Sequence, residues 1–407
     1  MIEVYALLYI SIFSYRVLKD WKKSFLFTPI TSVSFVAFIL LLLPAVLDNN
    51  IVVSNQAIFG LIILSFFCFY TPKGFYKQLS FFSIKRKKTI RVFFFTLALI
   101  HLAITVYFAL GIVITYGLVG SFLRNRLEDY LIGNVLSNGL LGTLHLLTQF
   151  VFYFVVGSYL GIRNKCKYAF VVMLFYIFCI SIYANTRLSL VIPIMIMASY
   201  FIYVRRMKYT KILAFVSAVI FILPLYLTIS NNMRHGISEN QTNVKIEKVI
   251  ANQLNYNKYI HEMDNYIDNS LDRFEYGYGW FLASIGNSVP RFFWSDKPIT
   301  SFSNRFTVLV TNQSISLQNP VRTFTIFGTG YSQLSYLGIF IEVFFYLYFF
   351  TRLFTSFLNT KYSGGFFIAF YISILSLIYF RGETPFIQLI LIYFLYLCRD
   401  AYVTNNK

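Results

Sequence analysis

Residues 92–120, VFFFTLALIHLAITVYFALGIVITYGLVG, contain no Asp, Glu, Lys or Arg. As a helix rising about 1.5 Å per residue, such a run crosses the roughly 30 Å hydrocarbon core of a bilayer. A helix also satisfies its own backbone there, which an irregular chain does not. Comparable runs near 2–15, 25–47, 57–70, 140–160, 169–184, 188–204, 212–229, 331–350, 365–380 and 386–398 bring the expectation to about eleven spans. The composition agrees: 57% hydrophobic residues, 13% charged and a mean hydropathy of +0.64 leave too little polar surface for a soluble fold. The expected fold is an all-α integral membrane protein, one polytopic domain over 1–407.

The first run has no basic flank before it and no small-residue cleavage site after it, so it is expected to be retained as a helix. Cys68, Cys166, Cys179 and Cys398 fall in or beside apolar runs without paired spacing, the pattern of buried inert thiols. His101 and His145 lie in apolar runs and are expected to be hydrogen-bonded core residues.

Basic clusters at 16–23, 73–91, 163–167 and 205–211 and at the C-terminus all fall on one side if the spans number about eleven. That side is the cytoplasmic one, which puts the N-terminus outside and the C-terminus inside. The net charge of +19 and the pI of 9.6 then report topology, and nucleic acid is not expected as a partner. The same assignment places residues from about 230 to 330 outside as one large loop containing short helices. Within it, 243–273 has amphipathic spacing and is expected to pack on the other helices, and 280–289 reads as a short helix ended by Pro290. Asp264, Asp268 and Asp272 share one helical face and read as a solvated stripe; no cluster has metal-ligand spacing.

Outside, Arg124, Arg126, Arg187, Arg234, Arg273, Arg291, Arg305, Arg322 and Arg381 outnumber Lys245, Lys248, Lys258 and Lys297, whereas lysine predominates inside. A guanidinium grips phosphate or carboxylate oxygens with a two-pronged geometry that an ammonium cannot reproduce. The external face is therefore expected to hold an anion. Arg187 and Arg381 sit in tight external turns, the second with Glu383 nearby. In NSVPRFFWSDKP (287–298), Arg291 is flanked by rings, and Asp296, Lys297 and Pro298 form a turn.

With NTRLSLVIPIMI (185–196), IGNSVPRFFWSDKP (285–298) and the glycine-containing GTGYSQLSYLGIFIEVFF (328–345) placed in this layout, the chain resembles the O-antigen polymerase (Wzy) family. The resemblance runs over essentially the full length and is one of architecture with a few local patterns. It implies an enzyme of the bacterial inner membrane that joins undecaprenyl-pyrophosphate-linked oligosaccharide repeat units on the periplasmic face, in contact with membrane lipids and with a chain-length regulator as a possible partner. No cofactor or metal is implied, since pyrophosphate is a good leaving group and arginines stabilise its growing charge.

On this reading Arg187 and Arg291 act in catalysis with His235 as the first choice of general base. Arg234, Arg273, Lys297, Arg322 and Arg381 bind pyrophosphate or glycan. His261, Asp296 and Glu383 are alternative bases. Glu342, costly to bury mid-helix, is a further candidate, with pairing to another intramembrane polar group as its other reading. An O-antigen ligase delivering the glycan to lipid A-core would share these features. A flippase would instead require charges along the helices and an internal repeat, neither of which is seen beyond Glu342.

Overall fold

The computed structural model describes residues 2–22, 28–70, 88–123, 139–160, 166–183, 254–269, 274–284, 302–314, 324–358 and 363–380, with isolated positions between them. Most of these residues are helical, with no strand among them. Helices α1 (Ile2–Lys22), α2 (Pro29–Ala37), α3 (Leu43–Leu47), α4 (Asn55–Phe69), α5 (Lys88–Leu123), α6 (Gly139–Leu160) and α7 (Cys166–Tyr183) form the first part of the bundle. Three shorter helices follow: α8 (Asn257–Asn269), α9 (Tyr278–Ser284) and α10 (Phe302–Thr311). Then come α11 (Thr325–Leu358) and α12 (Ser363–Phe380). Four stretches are long and apolar enough to cross a membrane: Pro29–Leu47, Val92–Leu118, Cys166–Tyr183 and Thr325–Leu358. The runs at 188–204 and 212–229 and most of 386–398 lie outside the described residues.

α12 is central. It packs against α11 on one side, α6 on another and α2 on a third, while α5 joins α6 to α7 and α4 joins α1 and α2 to α11. The outward faces carry large apolar side chains, among them Val4, Leu7, Phe93, Ile114, Val171 and Phe345, each at least half exposed. Water would penalise such a belt, and lipid does not. Between helices in lipid the cohesion comes from close packing and from polar pairs.

Two such pairs are fully buried. Arg16 on α1 donates through Nε to Asp20 at 2.9 Å and through Nη1 to the Cys68 and Tyr70 carbonyls at 3.3 and 2.5 Å. These carbonyls end α4 and have no intrahelical partner, so Arg16 completes that helix. Arg16 belongs by sequence to a basic cluster, yet its charge is spent inside the bundle. Asp20 also accepts from Thr28, which caps α2 by accepting the Thr31 N–H at 3.2 Å.

The second lies among α5, α6 and α7. His101 and His145 stack with ring centroids 4.3 Å apart. His101 Nδ1 lies 3.1 Å from both the His145 carbonyl and Thr148 Oγ1, and Nε2 lies 3.0 Å from the Tyr176 hydroxyl. His145 Nε2 meets Thr105 Oγ1 at 2.9 Å. Both ring nitrogens of His101 are thus engaged, as expected of core histidines.

Between α2 and α3 the chain makes a π-turn over Phe38–Leu42 just before Pro44. Proline has no N–H to give the Leu40 carbonyl, and the π-turn loosens its neighbours. The freed oxygens are taken from outside: Leu40 by the Tyr256 N–H at 3.3 Å and Leu41 by the Asn257 carboxamide at 2.8 Å. This anchors the start of α8 and breaks the helical run expected over 243–273 at Asn255–Tyr256. α8 buries Ile260, Met263 and Ile267 against α10 and α11. Asp264 accepts from Gln56 of α4 at 2.6 Å, so the acidic stripe is not uniformly solvated.

α11 departs from the expectation of a span beginning at 331. Leu334 (φ −146°) and Ser335 (φ 56°) break it, and 325–333 folds back on 336–358. Thr329 and Glu342 would stand about 20 Å apart along one straight helix, yet the Thr329 hydroxyl donates to Glu342 Oε2 at 2.7 Å. The two arms touch through Gly330 and Gly338, where a Cβ on Gly330 would lie 2.8 Å from the Gly338 carbonyl oxygen. No other residue permits that approach.

Candidate functional site

The short arm 325–333 is buried along nearly its whole length and packs against α8 and α9. At nine residues it is about 13 Å long, too short to span a bilayer. Its end needs partners for its last carbonyls, and a turn over 275–277 supplies them. The Glu275 N–H bonds the Ser332 carbonyl at 3.0 Å and the Tyr276 N–H bonds the Gln333 carbonyl at 3.1 Å. Tyr276 (φ 48°) and Gly277 (φ 89°) take left-handed conformations to make this docking possible.

The docking gathers a polar cluster. Gln333 accepts the Gly279 N–H at 3.1 Å through Oε1 and donates to Glu275 Oε2 at 2.6 Å through Nε2. The same Glu275 oxygen accepts from Arg305 Nη2 of α10 at 2.6 Å. A Cβ at Gly279 would collide with the Glu275, Gln333 and Arg305 side chains together, so only glycine fits above the cluster. The Arg305 guanidinium lies 5.7 Å from the ring centres of both Phe302 and Phe306, one turn before it and one residue after.

Arg305 is 12% exposed at its side chain, and its Nε and Nη1 are buried without a hydrogen-bond partner among the described residues. Leaving two charged donors open in such a place is costly. A guanidinium with one nitrogen bonded to Glu275 and two others unpaired among the described residues has donors left for a further oxygen anion.

One helical turn along the same arm, Thr329 meets Glu342, which is 2% exposed. Trp280 of α9 also faces the Glu342 carboxylate, although its buried indole N–H makes no bond of normal geometry. The Tyr379 hydroxyl of α12 donates to the Glu342 carbonyl at 3.4 Å. Glu342 has no cation beside it among the described residues, and its expected pairing with another polar group is found in Thr329. Gln333 and Thr329 of the arm thus connect it to Glu275 and to Glu342, with Arg305 and Trp280 beside them.

Of the residues singled out from the sequence, Arg322 pairs with Glu262 of α8 and its N–H bonds Thr307 Oγ1 at 2.8 Å, away from the Glu275 cluster. Asp296 is exposed. His261 Nε2 lies 3.2 Å from the Val52 carbonyl. His235, Arg187, Arg234, Arg273, Arg291, Lys297, Arg381 and Glu383 lie outside the described residues. No group of three metal-ligating side chains occurs among the described residues. Sequence reasoning passed over Glu275, Trp280, Thr329 and Gln333, and noted Arg305 only among the external arginines. The available signal was FSNRF, an arginine bracketed by phenylalanines at helical spacing. Compared with models of known families, with curated proteins and with solved structures, the chain matches none.

Proposed function

We propose that the chain is a membrane glycosyltransferase that polymerises lipid-linked oligosaccharide repeat units, an O-antigen polymerase. The observation that carries this reading is the Glu275–Arg305–Gln333 cluster, with two open guanidinium nitrogens, set on a folded-back arm above a buried Glu342. In the topology that goes with it, about eleven helices span the inner membrane. The N-terminus is then periplasmic, the C-terminus cytoplasmic, and the cluster belongs to the large periplasmic loop where it meets the bilayer.

In the reaction, the bond between the anomeric carbon of the donor glycan and its pyrophosphate breaks, and the pyrophosphate leaves with the electron pair. The acceptor hydroxyl oxygen forms the new bond at that carbon and gives its proton to a base. Arg305 offers its open N–H groups to the pyrophosphate oxygens, where charge grows as the bond breaks and where a fixed donor lowers the barrier most. Glu275, released in part from Arg305 by that anion, joins His235 as a candidate to take the proton.

The test is a reaction of the purified chain with synthetic undecaprenyl-pyrophosphate repeat units, without nucleotide sugar, metal or lipid A, resolved on a gel. A ladder of products is expected. A single shifted product that needs lipid A-core would make the protein a ligase, and no product under either condition would overturn the transferase reading.

A further inference from the structure

We infer that the cleft between α8 and α10 is a binding groove for an extended glycan. On the reading above, that glycan is the enzyme's own polymer. α8 buries Ile260, Met263 and Ile267 on one side. Another side presents Glu262, Asn265, Tyr266 and Asn269, at the spacing of a single helical stripe. That stripe forms one wall of an open cleft of about 410 Å³, and Val310 of α10 and Arg322 complete it. The volume falls within the roughly 300–1,000 Å³ of small-ligand sites.

The lining is fixed in place. Tyr266 stands edge-on to Phe306, with ring centroids 6.3 Å apart and planes at 81°. Asn269 donates to the Asn265 carbonyl at 2.7 Å, and Arg322 is held by both Glu262 and Thr307. A sugar ring has an apolar face of C–H groups and a rim of hydroxyls that each donate and accept. Carboxamides match that rim because they also do both, an Arg–Glu pair adds a donor beside an acceptor, and an aromatic ring covers the C–H face.

The alternatives fit less well. Phosphate would need uncompensated positive charge, and here the one arginine is paired with a glutamate. An apolar peptide would need an apolar floor, and only Val310 and the Tyr266 ring offer one. Val310 and Arg305 share α10, so a glycan in the groove lies alongside the helix that carries the proposed pyrophosphate ligand.

The test separates the groove from the reaction. The full chain in detergent is applied to an array of neutral and acidic oligosaccharides of two to eight sugars, and binding is read directly. The wild type is expected to bind. The double variant Asn265→Ala, Asn269→Ala, altered only at exposed side chains, is expected to lose about tenfold or more in affinity. Tyr266→Ala should do the same, whereas Arg305→Lys should keep binding. A wild type that binds no oligosaccharide, or a double variant that binds undiminished, overturns the groove. In the ladder reaction the double variant should still join the first two units but yield shorter products. Oligosaccharide binding lost in the double variant, without any ladder from the wild type, sinks the polymerisation reading and supports the groove.

Discussion

Two polar networks in this protein are completed to different degrees. Among α5, α6 and α7, the His101 ring nitrogens and His145 Nε2 meet partners at 2.9 to 3.1 Å, and the cluster closes on itself. Around the folded-back arm, Arg305 has two nitrogens without a partner among the described residues, and Glu342 accepts from Thr329 with the Trp280 indole facing it. A closed network fixes helix positions; one with unpaired donors holds capacity for a ligand. The histidine cluster is neutral and deeply buried, whereas the cluster around the arm is charged, partly exposed and only partly paired among the described residues.

The comparison breaks most sharply at Arg305. Arg305→Lys is expected to cut the rate of ladder formation by about 10²-fold or more, as loss of a forked donor does in a preorganised site. The elution profile of the purified protein should stay unchanged; an active lysine variant would show that the open nitrogens serve no ligand. Glu342→Gln keeps shape and hydrogen bonding to Thr329 but removes the group that can take up and release a proton, and about a tenfold loss of rate with unaltered thermal stability is expected. Equal activity in that variant would make Glu342 a packing group like the histidines.

On the closed side the effects should fall on stability alone. His101→Phe leaves the His145 carbonyl and the Thr148 and Tyr176 hydroxyls short of a partner. It should lower stability by about 1–3 kcal/mol, read as a drop in midpoint by thermal melting. The activity per folded molecule should be unchanged. Tyr176→Phe removes one hydroxyl from the same network and should cost about 0.5–1.5 kcal/mol, again without kinetic effect. A kinetic defect in either variant would erase the distinction drawn between the two networks.

The sequence made the helices legible because apolar length alone dictates them, as in 92–120, where no other structure satisfies the backbone in lipid. Its charge pattern pointed to the arginines of the 230–330 segment, among them Arg305, without distinguishing Arg305 from the rest. The fold-back at Leu334–Ser335 was hidden, because SQLSYLG has no proline and reads as the continuous start of a span. Its trace was the spacing of Gly330 and Gly338, which matters only once the two arms meet. Pro44 was visible, but its consequence, carbonyls handed to residues more than two hundred positions later, is a tertiary event. Likewise Arg305 gains its meaning from Glu275, thirty residues away, and no local pattern connects the two.

The shortness of the arm 325–333 also bears on how the chain is made. At nine residues it is not a unit that a translocation channel can release sideways into lipid as a span. Its burial depends on neighbours before and after it in the chain: Phe327 rests on Gly60 of α4 and on Phe380 of α12, and the carbonyls at its end need the turn at Glu275. Those surfaces coexist only after α12 has been synthesised and has joined the bundle. The cluster around the arm is therefore completed last, and no shorter nascent chain can display it.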